Sequence, residues 1–353
     1  MNELAPKSPL AASLAPKDYA SDQEVRWCPG CGDYAILKAV QKTCADLALD
    51  PAQTVFISGI GCAARLPYYM ATYGFHTIHG RAPAIATGIK LAKPGLDVWL
   101  ITGDGDSLSI GGNHLMHVLR RNVDINILLF NNEIYGLTKG QYSPTSREGT
   151  RSPSTPGGSL DHPISALTFA LGAGAQFIAR GIDTQQKVLP ETMKRAHAHR
   201  GASLVEILQN CIVYNDNAFS HFTDKGVAAD QQIHVEHGKP LLFGGDAKTG
   251  PTKGLRLDVK TLSLRVVPLG EGGAVPADIL VHDETNRVLA GMLAAMQPPA
   301  LPIALGVLYD NPEPAYDIQV AEQMAAAVEG DWPGPVRGNL DDLLRSGATW
   351  EVA

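Results

Sequence analysis

Short, wholly apolar runs alternate with helical periodicity along the first two thirds of the chain. Residues 54–58, Thr-Val-Phe-Ile-Ser, form a β-branched and aromatic run that ends in Gly59-Ile60-Gly61-Cys62, the pattern of a buried strand feeding a tight turn. Residues 97–102 and 125–130 repeat that form, with a helical pattern over 112–121 between them. Residues 176–179 and 203–208 read as strands flanking a helix over 184–199. Ahead of the first strand, Ile36, Leu37, Val40, Cys44 and Leu47 recur at helical spacing, which predicts a helix over 34–47 with Cys44 turned into the core. Later strand candidates are 279–282 and 303–308. Strands alternating with helices predict an α/β fold with a doubly wound, mostly parallel sheet. Ligands of such a sheet bind beyond the carboxyl ends of its strands. The unusual residues collect in loops at those ends: 59–63, 103–106, 131–136 and 210–211.

At 353 residues and 44% hydrophobic content the chain can bury a large core. The first 22 residues, rich in Ala, Pro and Ser, read as an N-terminal arm; 23–237 form the main domain and 238–353, with a change of character, a C-terminal extension. Residues 143–159, dense in Ser, Thr, Pro and Gly, read as a long surface or active-site loop. No stretch approaches the ~20 apolar residues of a spanning helix, and the start lacks a secretory pattern, so the expected address is cytoplasmic. With 29 basic against 36 acidic residues, the net charge of -7 gives no reason to expect a nucleic-acid or membrane partner.

Two chemical signatures stand on this frame. Asp104 follows an apolar strand inside Gly103-Asp104-Gly105-Asp106, and Asn132 comes 28 positions later, at the end of the next strand. On neighbouring strands, the Asp104 carboxylate, the Asn132 amide oxygen and the Ile134 carbonyl can converge on magnesium, a hard cation, with diphosphate oxygens completing the shell. The second signature is cysteine. Cys28, Cys31, Cys62 and Cys211 are spaced C-x2-C-x30-C-x148-C, the last two at predicted strand ends beside the first signature. Four thiolates there suit either zinc or an iron-sulfur centre.

Gly-Asp-Gly followed by Asn resembles the thiamine diphosphate motif. Trp27-Cys28-Pro29-Gly30-Cys31-Gly32, Gly59-Ile60-Gly61-Cys62, His79-Gly80-Arg81, Gly103-Asp104-Gly105-Asp106 and 132–141 together resemble the β subunit of 2-oxoacid:ferredoxin oxidoreductases, in order over about half the chain. The resemblance implies a thiamine-diphosphate-binding fold and a 4Fe-4S cluster on Cys28, Cys31, Cys62 and Cys211. It implies magnesium on Asp104, Asn132 and the Ile134 carbonyl, with Ile60, Gly61, Cys62, Ala63, Gly105, Asp106, Gly136 and Leu137 against thiamine diphosphate. An α subunit would supply the remaining cofactor contacts, the activating glutamate and the coenzyme A site, and electrons would leave to ferredoxin. The implied reaction is coenzyme A-dependent oxidative decarboxylation of a 2-oxo acid. The 136–143 segment and the tail are more like the 2-oxoglutarate members, with pyruvate or a branched-chain 2-oxo acid as the alternative. A non-redox thiamine decarboxylase or carboligase with structural zinc, and a pure electron-transfer protein, are the readings from other classes. Arg65 is a candidate partner for a substrate carboxylate and His79 a candidate donor near the reacting carbonyl. Trp27 is expected to shield the cysteines by packing.

Overall fold

The computed structural model describes residues 14–246, 248–329, 344–347 and 350. Six strands of its main sheet arise in chain order: β1 (Thr54–Ser58), β2 (Tyr73–His76), β3 (Asp97–Gly103), β4 (Asn126–Asn131), β5 (Phe177–Ile182) and β6 (Ser203–Leu208). A short β7 (Gln232–His234) follows. Then come β8 (Leu242–Phe243), β9 (Lys253–Asp258) and β10 (Ser263–Pro268), which make a separate antiparallel sheet, and finally β11 (Ile303–Asp310). The main sheet runs in the order β2-β1-β3-β4-β6-β5-β11-β7. Every pairing in it is parallel except β11 against β5.

β1, β4, β5 and β6 are buried at every position, and β3 at every position but its terminal glycine. Strands with no polar face need cover on both sides. The helices Ala82–Ala92, Gly112–Arg121, Ala166–Gly172 and Arg287–Ala294 pack on one side, contributing Ala86, Leu115, Leu119, Leu167 and Leu293 to one core. Asp33–Asp46 and Leu189–Ala198 cover the other, through Ile36, Val40, Cys44 and Met193. Cys44 is fully buried there, as its helical spacing predicts. The doubly wound α/β architecture is thus present, with β3, β4 and β6 side by side at its centre.

Three features differ from the sequence pattern. β2 has no buried position and carries no alternation, so periodicity could not reveal it; it is an edge strand held by pairing to β1 alone. Residues 279–282 form no strand. Leu280 exchanges backbone hydrogen bonds with Leu255 and Leu241 and Val281 makes one isolated bridge to Pro240, so the segment is an irregular rim of the small sheet. Beyond residue 238, β11 enters the main sheet between β5 and β7. In the N-terminal arm, residues 1–13 lie outside the described residues; Tyr19 is fully buried and donates its hydroxyl to the Leu49 carbonyl at 2.6 Å.

Candidate functional site

The carboxyl ends of β1, β3, β4 and β6 open on one cleft of about 240 Å³, lined among others by Ile60, Cys62, Asp104, Asn132, Gly136 and Gln209. Asp104 begins a single helical turn, Asp104–Leu108, directly after β3. Its Oδ2 accepts from Ser143 Oγ and from Thr145 Oγ1, each at 2.6 Å. Thr145 Oγ1 also reaches Asn131 Oδ1 at 3.0 Å, and Asn131 Nδ2 donates to the buried Glu206, which is ion-paired with Arg180 at 2.7 Å. The long loop therefore folds back onto the site. Burial pushes the Asp104 carboxyl up, against the Ser143 and Thr145 hydrogen bonds that pull it down. A buried carboxylate supported by neutral donors fits a hard cation.

Asn132 is presented by a turn whose next residue, Glu133, has a left-handed φ of 55°. Ser146 Oγ and Asn215 Nδ2 hold that turn by its carbonyls, at Glu133 and Asn132 respectively, and Arg147 pairs with Glu133 at 3.3 Å. Strain of this kind persists only where surrounding contacts over-determine it. Ile134 N donates to Asn132 Oδ1 at 3.2 Å, which fixes the amide's direction. Asp106 also lines the cleft, and its carboxylate braces the loops around it. Its Oδ1 accepts from Ile60 N at 3.1 Å and Gly80 N at 2.8 Å, and its Oδ2 from Thr102 at 3.0 Å. A β-carbon on Gly59 would stand 1.9 Å from that Oδ2, so glycine is what lets the β1 loop sit on Asp106.

The cysteines assemble behind the same loops. Cys62 lines the cleft. Trp27, 6% exposed, donates Nε1 to the Cys62 carbonyl at 2.8 Å and packs edge-on against Tyr34 and Tyr69. Gly32 N donates to the Asn210 carbonyl at 3.2 Å, docking the Cys28–Cys31 turn on the Cys211 loop. A β-carbon on Gly136 would lie 3.4 Å from Cys62 Sγ and 3.6 Å from Cys211 Sγ, so those two sulfurs meet under one glycine. Burial and the Asp33 charge, then Cys211 and Cys28, push the Cys62 thiol up to about 12. Cys31 is raised by burial, Asp33, Cys62 and Cys211. Such mutual opposition is what a cationic centre relieves when it takes the thiolates as ligands. Among the described residues, no three His, Cys, Asp or Glu side chains converge closely enough for one metal ion.

Of the other residues singled out from sequence, Gly61, Ala63, Gly105, Ile134, Leu137 and His79 line the cleft. Leu137 is 49% exposed at its mouth. Arg65 is not among the lining residues; it lies behind Cys62 on the turn Ala63–Tyr69, with Nε donating to Tyr69 Oη at 3.0 Å. Four residues escaped sequence reasoning. Ser143 and Thr145 carried only the Ser/Thr density of their loop as a signal. Gln209 and Asp33 carried none. Asp33 is 1% exposed, lines the cleft, and burial raises its carboxyl to about 7.

The model of the thiamine pyrophosphate enzyme C-terminal TPP-binding domain matches residues 59–207. A 2-oxoglutarate oxidoreductase subunit KorB from Mycobacterium tuberculosis is 48% identical over 341 residues, covering 95% of this chain and 88% of the relative. The chain belongs to the β subunits of the 2-oxoacid:ferredoxin oxidoreductases. Within that family, subunit beta of 2-oxoacid:ferredoxin oxidoreductase 1 from Aeropyrum pernix is 46% identical over 205 residues, 58% of this chain and 64% of the relative. A solved 2-oxoglutarate:ferredoxin oxidoreductase from Magnetococcus marinus, with 2-oxoglutarate, coenzyme A and succinyl-CoA bound, superposes on this β subunit with a TM-score of 0.72 at 32% identity. That likeness covers 95% of this chain and 97% of the other. An α subunit is the partner that membership in a β-subunit family implies. No helix among the described residues is long and apolar enough to cross a membrane.

Proposed function

We propose that this β subunit, with its α subunit, carries out coenzyme A-dependent oxidative decarboxylation of 2-oxoglutarate to succinyl-CoA and CO2, passing electrons through a 4Fe-4S cluster to ferredoxin. The observation that carries the reading is Cys62. It lines the cleft on one side and approaches Cys211 under Gly136 on the other, so one residue bounds both the cleft and a pair of neighbouring sulfurs. Asp104, Asn132 and the Ile134 carbonyl would hold magnesium and through it the diphosphate; Cys28, Cys31, Cys62 and Cys211 would hold the cluster. Thiamine diphosphate supplies the nucleophilic carbon and the electron sink for decarboxylation.

The chain's own residues bind, brace and exclude water. Ser143 and Thr145 aim the Asp104 carboxylate, Asp106 pins the β1 loop against the His79 turn, and Ile60, Ala63 and Phe130 give the cleft apolar wall. His79, which lines the cleft, would donate a hydrogen bond to a substrate oxygen, and Arg65 would need to leave Tyr69 to meet a carboxylate. Lone zinc, the alternative, is d10 and has no redox chemistry, so it could not take the two electrons that oxidative decarboxylation releases, whereas an iron-sulfur centre could. The choice of 2-oxoglutarate follows the relatives from M. tuberculosis and M. marinus.

The test is to purify both subunits together, assay iron and acid-labile sulfide, and offer 2-oxoglutarate, pyruvate and branched-chain 2-oxo acids with coenzyme A and a low-potential viologen dye. About four irons and four sulfides per β chain with a rate confined to 2-oxoglutarate is the expected result. One zinc without sulfide would overturn the cluster, and a preference for another acid would overturn the substrate.

A further inference from the structure

A single buried amide lies between the two candidate cofactor sites. Gln209 follows β6 directly, is 1% exposed, and donates its backbone N–H to the Asn131 carbonyl at 2.9 Å. Its side-chain Oε1 accepts from Asn132 Nδ2 at 2.8 Å. Its Nε2 donates to Cys31 Sγ at 3.3 Å and to the Asn210 carbonyl. The network fixes the direction of both amides. Ile134 N–H requires an oxygen at Asn132 Oδ1, which turns Asn132 Nδ2 toward Gln209; that demands Oε1 in return and leaves Nε2 for the sulfur. Gly32 leaves room on this side, since a β-carbon there would stand 2.0 Å from Asp183 Oδ2 and 3.0 Å from Gln209 Cγ.

Only an amide side chain offers an acceptor and two donors on one planar group, and asparagine is one methylene too short to span the same gap. We propose that Gln209 is a positioning residue that couples the two cofactor sites. Its carbonyl holds Asn132 so that Oδ1 is offered to the diphosphate-bound cation, and its N–H donates to the Cys31 sulfur. Hydrogen bonds to cluster sulfurs favour the more negative, reduced state and so raise the reduction potential. Outer contacts of this kind also orient metal ligands, and their loss commonly weakens metal binding about 10- to 100-fold. The inference rests on the magnesium and 4Fe-4S reading above and assigns that reading a residue on which both sites depend.

Two variants of the intact two-subunit enzyme separate the two arms. Gln209→Met keeps the volume and removes both the acceptor and the donor. Gln209→Glu keeps the shape and an oxygen for Asn132 but has no N–H for the sulfur. Three quantities are read: iron and sulfide per β chain, the cluster midpoint by electron paramagnetic resonance during a redox titration, and magnesium affinity at fixed thiamine diphosphate. Both variants are expected to shift the midpoint to lower potential with the cluster intact. Magnesium affinity is expected to fall about tenfold in Gln209→Met and to stay within about threefold of wild type in Gln209→Glu. If Gln209→Met fails to fold, the near-isosteric Gln209→Glu still reports the potential. A full cluster at wild-type potential in either variant, or equal loss of magnesium affinity in both, overturns the proposal. A wild-type enzyme without iron overturns the cluster reading itself, which is a different failure.

Discussion

Thr145 shows how much of the candidate site depends on residues that have no chemistry of their own. Its hydroxyl joins Asp104 Oδ2 to Asn131 Oδ1, so Thr145→Val leaves a buried carboxylate short of one donor. Losing that contact costs about 1–3 kcal/mol, and thiamine diphosphate-magnesium binding is expected to weaken by roughly tenfold or more, measured by calorimetric titration with iron content unchanged. The complementary pair lies on the cysteines. Cys211→Ser should lose iron although Cys211 is remote in sequence from the other three. Gly136→Val should do the same, because the added methyls would extend from a β-carbon already 3.4 Å from Cys62 Sγ. Iron retained at wild-type stoichiometry in Cys211→Ser would remove it from the ligand set. These residues were legible in the sequence to different degrees for a physical reason. Asp104, Asn132, Cys62 and Cys211 fall at or just past the ends of apolar runs, and Cys28 and Cys31 form a C-x2-C pair, so a pattern stands out. A threonine in a Ser/Thr-rich loop and a lone glutamine after a strand look like any others until the fold brings them to a partner.

At the scale of elements, the wholly apolar strands were readable because a centre buried on both faces tolerates few polar residues. Their edges were less so: β2 lacks any buried position, and residues 279–282 are apolar without belonging to a strand. The tie between the late strand and the older core is electrostatic as well as apolar. Asp310, closing β11, accepts from His199 Nδ1 at 2.8 Å and pairs with Arg195 at 3.2 Å, while Arg195 also holds Glu284 at 2.7 Å. Burial opposes the Asp310 charge, but the hydrogen bond and charge of His199, with Arg195, outweigh it and hold the carboxyl below its ordinary range. A depressed carboxyl stabilises the fold above its unfolded pKa of ~3.9 and loses that contribution as pH falls through the folded value. Asp310→Ala should therefore cost about 1–3 kcal/mol near neutrality, with the gap to wild type closing in unfolding curves taken at progressively more acid pH. A gap that did not narrow would mean the loss is one of packing.

Across the whole molecule, the β2 edge of the main sheet carries large apolar side chains left uncovered. Tyr73 and Phe75 on β2, with Tyr68, Ile78 and Ile110 nearby, are 49% to 67% exposed. An edge strand of this kind is expected to be covered in the working assembly. Phe75→Asp should reduce co-purification of the α subunit while leaving the iron content of the β chain unaltered; undiminished pairing would place the contact elsewhere. The family was legible from ordered motifs over half of the chain, whereas the sheet's true extent was not, because β11 lies far from its neighbours in sequence. That strand has a consequence for biogenesis. During vectorial synthesis β5 leaves the ribosome long before β11, so its outer edge waits, unzipped, for a strand encoded much later in the message. Nascent chains stalled in that interval would present a sticky hydrogen-bonding margin to one another, which makes the gap between the two strands a step at which chaperones have much to protect.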